Sequence, residues 1–162
     1  MKEMITKEDR EFIERAIQLS ERGMDENAGG PFGAIVVKDG EIIAEGFNEV
    51  TSKNDPTAHA EIVAIRKACE VLDSFQLTDC VIYTSCEPCP MCLGAIYWAR
   101  PKAVFYSCTK EDAAEIGFDD YFIYDEIALS TEERSIPFIN LNRDLGQKIF
   151  EKWKEKSDRT DY

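Results

Sequence analysis

The chain has 162 residues, of which 44% are hydrophobic and 31% charged, and 32 acidic residues against 19 Lys and Arg give it a formal net charge of −13. This length and apolar content predict one domain with a hydrophobic core. Nucleic-acid binding depends largely on Lys and Arg, so no nucleic-acid partner is expected. No apolar run is long enough for a transmembrane helix, so no membrane partner is expected. Six cysteines without a secretory signal predict reduced thiols and a cytoplasmic location.

The first predicted elements are a helix and a hairpin. The helix begins at Thr6, and Asp9 stands three residues later, as in a capping box. Residues 34–37 and 41–44 are apolar runs joined by Asp39-Gly40, which is a strong hairpin turn signal.

Residues 81–106 predict a crossover connection between two parallel strands. An apolar helix over residues 91–99, expected to be buried all round, separates strands at residues 81–84 and 103–106. Such a strand–helix–strand unit joins parallel strands. Residues 136–140 predict an edge strand, and a final helix is expected from about Asp144. The fold class is therefore α/β, with a mixed sheet and helices on both of its faces.

One group of residues carries the chemistry of a metal site. His59, the only histidine, precedes Glu61 by two positions, and Cys89 and Cys92 follow later in the chain. A catalytic zinc takes three protein ligands and leaves its fourth position to water. Two thiolates and a neutral imidazole cancel the charge of Zn²⁺. We therefore predict one Zn²⁺ per chain on His59, Cys89 and Cys92, with Glu61 as the carboxylate that moves protons.

The ligands are expected to lie at the starts of two helices. Pro90 predicts a helix that begins beside Cys89, and Asp55-Pro56 predicts the start of the helix that carries His59. A redox dithiol would leave His59 and Glu61 unexplained. A purely structural zinc site would require a fourth protein ligand.

These residues match the known signature of zinc-dependent nucleobase deaminases, in which His-x-Glu is followed by Pro-Cys-x-x-Cys and the glutamate is the acid/base. The pair that follows a proline is Cys89 and Cys92, so Cys86 is expected not to bind the metal. The chain resembles the cytidine-deaminase-like superfamily and, within it, the bacterial guanine deaminases. The resemblance covers nearly the whole chain and is densest at residues 29–34, 54–61, 85–99 and 117–120.

The resemblance implies a three-layer α/β/α sandwich with a mixed central sheet, one Zn²⁺, a homodimer, and conversion of the purine base guanine to xanthine and ammonia. It also implies that Asn48 and Asp120 bind the purine edge and that Phe32 stacks on it. Each residue has a simpler alternative. Phe32 is also suited to the core, Asn48 to capping a loop, and Asp120 to a solvated acidic face.

We expect a single deaminase domain over residues 1–162, in which residues 143–162 form a C-terminal helix and tail. This segment is a candidate for exchange between the protomers of a dimer. The chain ends on Tyr162, an aromatic residue that could close over a flat base. A disordered tail is the alternative.

The zinc motif alone does not choose the substrate. Guanosine, cytosine and triazines remain open, and so does tRNA adenosine. The tRNA adenosine deaminases typically have an aliphatic residue where Phe32 stands, together with a basic surface. A non-catalytic, zinc-stabilised interaction module would leave Glu61 without a role.

Overall fold

The computed structural model describes residues 5–162. Residues 1–4, on which the expectation of no secretory signal partly rests, lie outside the described part. The described residues form four strands and seven helices. In chain order they are α1 (Lys7–Asp25), β1 (Gly33–Lys38), β2 (Glu41–Phe47), α2 (Val50–Lys53), α3 (Ala60–Leu72), β3 (Cys80–Cys86), α4 (Pro90–Ala99), β4 (Ala103–Cys108), α5 (Lys110–Glu115), α6 (Tyr121–Ala128) and α7 (Arg143–Glu155).

The four strands form one mixed sheet in the order β2-β1-β3-β4. β1 pairs antiparallel with β2 and β3, whereas β3 and β4 are parallel. The hairpin turn has φ of 51° at Asp39 and 81° at Gly40. Positive φ at both central residues is the geometry of a two-residue hairpin turn, so the predicted hairpin is confirmed.

Helices cover both faces of the sheet. On one face, α1 packs its Leu19 against Ile35, Val37 and Tyr83 of the sheet. The other face packs against α3 and α4, whose small residues allow the helix backbones to approach the sheet closely. The buried residues of this second core cluster include Ala34 and Val36 of β1, Ala60, Ala64 and Ala68 of α3, and Ile96 and Ala99 of α4. The predicted three-layer α/β/α fold is confirmed.

The helix starts were predicted with mixed success. Thr6 caps α1 in a capping box with Asp9, as expected. The predicted helix start at Asp55-Pro56 is wrong, because α3 begins at Ala60 with His59 as its N-cap. The Asp55 carboxylate instead accepts hydrogen bonds from the backbone N–H and the hydroxyl of Thr57, which fixes a turn ahead of the helix.

Two further predictions are corrected. No strand forms at residues 136–140, where Ile136, Phe138 and Ile139 remain exposed. Pro137 cannot donate to a strand ladder, which weakens this segment as a strand. The apolar α4 is not buried all round, because Tyr97 and Trp98 are 75% and 63% exposed.

The chain divides into two compact units, Met1–Asp120 and Tyr121–Tyr162. The first carries the sheet and α1 to α5, and the second carries α6 and α7. Helix α7 begins where the sequence predicted and has no buried residue. The expectation of one domain stays a prediction. Within residues 5–162, no helix combines the length and apolar character needed to cross a membrane.

Candidate active site

The two helix starts bring three metal-ligand side chains together. His59 is the N-cap of α3, Cys89 is the N-cap of α4, and Cys92 lies in the first turn of α4. The Nδ1 atom of His59 lies 3.5 Å from the sulfur of Cys89 and 3.5 Å from that of Cys92. The ligand atoms of the three residues all lie within 4.8 Å of one another.

This geometry fits a zinc ion. A tetrahedral zinc binds nitrogen at about 2.0–2.1 Å and sulfur at about 2.3 Å, which places the two ligand atoms about 3.5 Å apart. The observed nitrogen–sulfur distances are both 3.5 Å. One imidazole and two thiols are also the donor set that zinc prefers. The cluster can therefore hold one zinc ion.

Cys86 lies outside this cluster although it is close in sequence. Its sulfur donates a hydrogen bond to the carbonyl oxygen of Thr109. Burial raises the pKa of Cys86 to about 12, so it is a neutral thiol at physiological pH.

Hydrogen bonds within the cluster shift the pKa values of its two thiols in opposite directions. A hydrogen bond from Cys92 and a second from His59 lower the pKa of Cys89 to about 4. The hydrogen bond to Cys89, together with burial, raises the pKa of Cys92. Cys89 is therefore the more acidic thiol of the pair. The Cys89 hydrogen bond in turn raises the pKa of His59.

Glu61 stands beside the cluster as a buried carboxyl group. It lies in the first turn of α3, and only 6% of its surface is exposed. Burial raises its pKa, and interactions with its own backbone N–H and with Cys92 offset part of this increase. A carboxyl group with a raised pKa is suited to both accept and return a proton near neutral pH.

Asp120 has a buried oxygen that lacks a partner. Among the described residues, Oδ1 of Asp120 is the one buried side-chain nitrogen or oxygen atom without a hydrogen bond. Burial raises the pKa of Asp120, and the nearby negative charge of Cys89 raises it further. An unsatisfied buried acceptor is costly, so this oxygen is suited to receive a hydrogen bond from a ligand.

Asn48 is buried and uses only half of its amide within the protein. Its Oδ1 accepts hydrogen bonds from the backbone N–H groups of Gly30 and Val50, at 3.3 and 3.2 Å. Within residues 5–162 its Nδ2 donates no hydrogen bond to another residue. The next residue, Glu49, donates its backbone N–H to the carbonyl of Ala58, which directly precedes His59. Asn48 therefore combines the predicted loop-capping role with a free donor near the metal cluster.

Phe32 is half-buried and forms a T-shaped pair with Phe118, with ring centroids 4.9 Å apart and an interplanar angle of 89°. Phe118 was not selected from the sequence as a site residue. The sequence did contain a signal for Phe118, because Gly117-Phe118 directly precedes Asp119-Asp120 within residues 117–120, one of the segments that carry the family resemblance. The left-handed Gly117 (φ 94°) follows α5, and Phe118 donates its N–H back to the carbonyl of Ala113.

Glu87, to which the sequence assigned no role, connects two loops in the structure. Its Oε2 accepts a hydrogen bond from the backbone N–H of Lys110, and its own N–H donates to the carbonyl of Cys108. The loop that carries Cys89 is thereby joined to the start of α5. Tyr162 belongs to the second unit and is 70% exposed.

Comparison with known proteins places this fold and metal cluster in a family. Residues 6–108 match the family described as the cytidine and deoxycytidylate deaminase zinc-binding region. The chain belongs to this zinc-binding deaminase family.

A guanine deaminase from Bacillus subtilis (strain 168) is a full-length relative. It is 59% identical over 151 residues, covering 93% of this chain and 97% of the relative. The X-ray structure of guanine deaminase from Bacillus subtilis superposes with a TM-score of 0.92, at 58% identity over 94% of this chain and 98% of that chain.

Two other relatives match less of the chain. A protein named NE0047, solved in complex with 2,6-diaminopurine, is 34% identical over 67% of this chain and 61% of its own, with a TM-score of 0.65. A tRNA-specific adenosine deaminase from Aquifex aeolicus is 42% identical over 59% of this chain and 63% of the relative.

Proposed function

We propose that this protein is a zinc-dependent aminohydrolase that converts guanine to xanthine and ammonia. The observation that carries the proposal is the buried carboxyl of Glu61 beside a cluster of His59, Cys89 and Cys92 that fits one zinc ion. The near-complete coverage of a guanine deaminase at 59% identity supports guanine as the substrate.

The reaction replaces an amino group by an oxygen atom. A C–O bond forms between a water molecule and C2 of guanine, and the bond from C2 to the amino nitrogen breaks. Glu61 accepts a proton from the water and returns it to a ring nitrogen. The same carboxylate then takes the remaining proton from the new hydroxyl group on C2 and delivers it to the amino group. The amino group leaves as ammonia while the C2 carbonyl of xanthine forms. The raised pKa of Glu61 suits a group that alternates between base and acid.

His59, Cys89 and Cys92 would hold the metal. The chemistry that zinc supplies at such a site is Lewis-acid activation of a water molecule, whose pKa falls to about 7. The low pKa of Cys89 favours the thiolate that a metal ligand requires. The burial of Cys92 and Glu61 keeps bulk water away from the reacting groups.

Three side chains are suited to bind the base. The unsatisfied Oδ1 of Asp120 can accept a hydrogen bond from an N–H of guanine. Nδ2 of Asn48 can donate to an acceptor on the purine edge, and the ring of Phe32 can stack on the base. The complex of the related NE0047 with 2,6-diaminopurine supports a pocket that accepts flat purines.

We also propose that the protein is a homodimer. The support is an exposed apolar face on α4, where Leu93, Tyr97 and Trp98 are 40%, 75% and 63% exposed. Exposed apolar surface of this kind is typical of protein interfaces. A molar mass in solution of twice 18.4 kDa would support the dimer, and a mass of 18.4 kDa would contradict it.

We propose that residues 1–162 form a single deaminase domain. The C-terminal helix and tail, residues 143–162, are exchanged between the two protomers of the dimer, and Tyr162 covers the bound base. The support is the amphipathic α7, whose apolar residues Leu145, Ile149 and Phe150 are each at least 60% exposed. We further propose a cytoplasmic location, which the six unpaired cysteines support.

Ammonia release from a panel of substrates tests the function. The zinc-loaded protein is incubated with guanine, guanosine, cytosine, adenine, a triazine and a tRNA anticodon loop that contains adenosine. Guanine should have the highest kcat/KM. Faster deamination of the tRNA would instead favour a tRNA adenosine deaminase. No ammonia from any of these substrates would favour a non-catalytic module.

A further inference from the structure

Gly29 lies in direct contact with Asn48. A Cβ atom added at Gly29 would lie 2.0 Å from Oδ1 of Asn48 and 2.7 Å from its carbonyl oxygen. Real Cβ atoms essentially never come within 3.0 Å of another heavy atom. Asn48 therefore occupies the space that a side chain at position 29 would need. Since the clash involves backbone as well as side chain, rotation of the amide alone would not relieve it.

Gly30 lies against the two aromatic rings. A Cβ atom there would lie 2.8 Å from Cζ of Phe118 and 3.0 Å from Cε2 of Phe32. The edge-to-face pair of Phe32 and Phe118 thus packs on the bare backbone of Gly30. A methyl group at this position would displace one ring or both.

Backbone strain does not explain either glycine. Among the described residues, the glycines with positive φ are Gly40 and Gly117. Gly29 and Gly30 have a conformation that alanine can adopt, so alanine at either position would change contacts and not the backbone preference. The two adjacent substitutions would act on different groups, a polar one at position 29 and an aromatic one at position 30.

We propose that Gly29 and Gly30 are positioning residues that set the two halves of the base-binding pocket separately, and that Phe118 is a third positioning residue that acts through Phe32. Gly29 sets the position of the Asn48 amide, and Gly30 sets the position of the Phe32 ring in its T-shaped contact with Phe118. This inference rests on the proposed binding of a purine base by Asn48 and Phe32.

The experiment compares Gly29→Ala, Gly30→Ala and Phe118→Leu with the double variants Gly30→Ala/Phe118→Leu and Gly29→Ala/Phe118→Leu. Leucine lacks the Cζ atom that the new methyl group would meet. Steady-state kcat and KM for guanine are measured together with zinc content and Tm. Gly29→Ala should lower kcat/KM roughly tenfold to a hundredfold, as expected when a polar partner is lost. Gly30→Ala should raise KM by roughly tenfold, as expected when aromatic contacts are lost.

The decisive readout is selective rescue. Phe118→Leu alone should raise KM less than Gly30→Ala does. Added to Gly30→Ala, it should lower KM to the value of Phe118→Leu alone, and it should leave Gly29→Ala unrescued. Parental kinetics in both glycine variants, failure to rescue Gly30→Ala, or equal rescue of both would overturn the inference. If Gly30→Ala does not fold, Phe118→Leu alone decides, since an unchanged KM for guanine would also overturn it. A parent protein that does not deaminate guanine would instead contradict the proposed function.

Discussion

The Nδ1 atom of His59 lies 3.5 Å from the sulfur of Cys92, although 33 residues separate the two in sequence. The contact forms because α3 and α4 begin at the same place, with His59 and Cys89 as their N-caps. An N-cap side chain leans beyond the end of its helix, so two helix starts can direct three ligands to one point. The same arrangement places Glu61 in the first turn of α3, beside the cluster.

The metal centre can be tested by removing each ligand. His59→Ala, Cys89→Ala and Cys92→Ala should each lower the zinc content well below one ion per chain, because a three-ligand site has no protein ligand to spare. Cys86→Ser should keep its zinc, since Cys86 is a neutral thiol bonded to Thr109. Elemental analysis of the purified variants measures this. Zinc lost from Cys86→Ser but kept in Cys92→Ala would refute the ligand assignment.

Asp120 is predicted to contribute to substrate binding. Asp120→Ala removes the buried acceptor that has no partner in residues 5–162, so a hydrogen bond to the base is lost. The kcat/KM for guanine should fall roughly tenfold to a hundredfold with zinc content unchanged. Asp119→Ala is the matched control, because the neighbouring Asp119 is exposed. Equal kinetics in the Asp120 variant and the parent would show that Asp120 does not bind the substrate.

A hydrogen bond between α1 and the sheet predicts a pH dependence of stability. The Tyr83 hydroxyl donates to Asp9 at 2.6 Å. This bond lowers the pKa of Asp9 from its usual 3.8. Burial, followed by the same bond, raises the pKa of Tyr83 from its usual 10.0. The lowered carboxyl pKa gives stability above pH 3.8 that is lost as pH falls. The raised phenol pKa gives stability below pH 10.0 that is lost as pH rises.

Tyr83→Phe should therefore lower the free energy of unfolding by about 1 kcal/mol near neutral pH, since a bond to a partly exposed carboxylate is worth less than a buried one. The difference from the parent should shrink below pH 3.8 and above pH 10.0. Denaturant unfolding of both proteins at matched pH values measures it. A difference that is constant across this range would exclude the bond as its cause.

The proposed closure by the C-terminal tail can be tested by deletion of residues 157–162. If Tyr162 covers the base, the truncated protein should keep its fold and zinc but lose most of its guanine turnover. Tyr162→Ala in the full chain separates loss of the ring from loss of the tail. Unchanged turnover in both variants would leave only the disordered tail.

The parts of the fold that local chemistry determines could be predicted from the sequence. The Asp39-Gly40 turn, the capping box at Thr6 and the proline beside Cys89 each act within a few residues. The start of α3 was not placed, because Asp55-Pro56 is also a good local start. In the structure the Asp55 carboxylate instead holds Thr57 in a turn ahead of the helix. The exposed face of α4 was not predicted either, since an apolar sequence does not reveal which face remains uncovered.

The residues of the base-binding pocket were harder to predict than the fold, because their roles depend on tertiary contacts. Asn48 and Asp120 came from the family resemblance, and neither the free Nδ2 nor the unsatisfied Oδ1 follows from sequence. The contact between Phe118 and Gly30 joins segments almost ninety residues apart, so no local pattern predicts it.

Glu61 is the residue on which the proposed reaction depends most directly. Glu61→Gln keeps the size of the side chain but removes the group that carries protons, and Glu70→Gln changes an exposed glutamate on the same helix as a control. The direct measurement is the rate of xanthine and ammonia formation from guanine by zinc-replete proteins. We expect equal amounts of the two products from the parent and the Glu70 variant, and a fall in kcat of at least ~10²-fold for Glu61→Gln. Near-parental kcat in zinc-replete Glu61→Gln would contradict the acid/base role of Glu61.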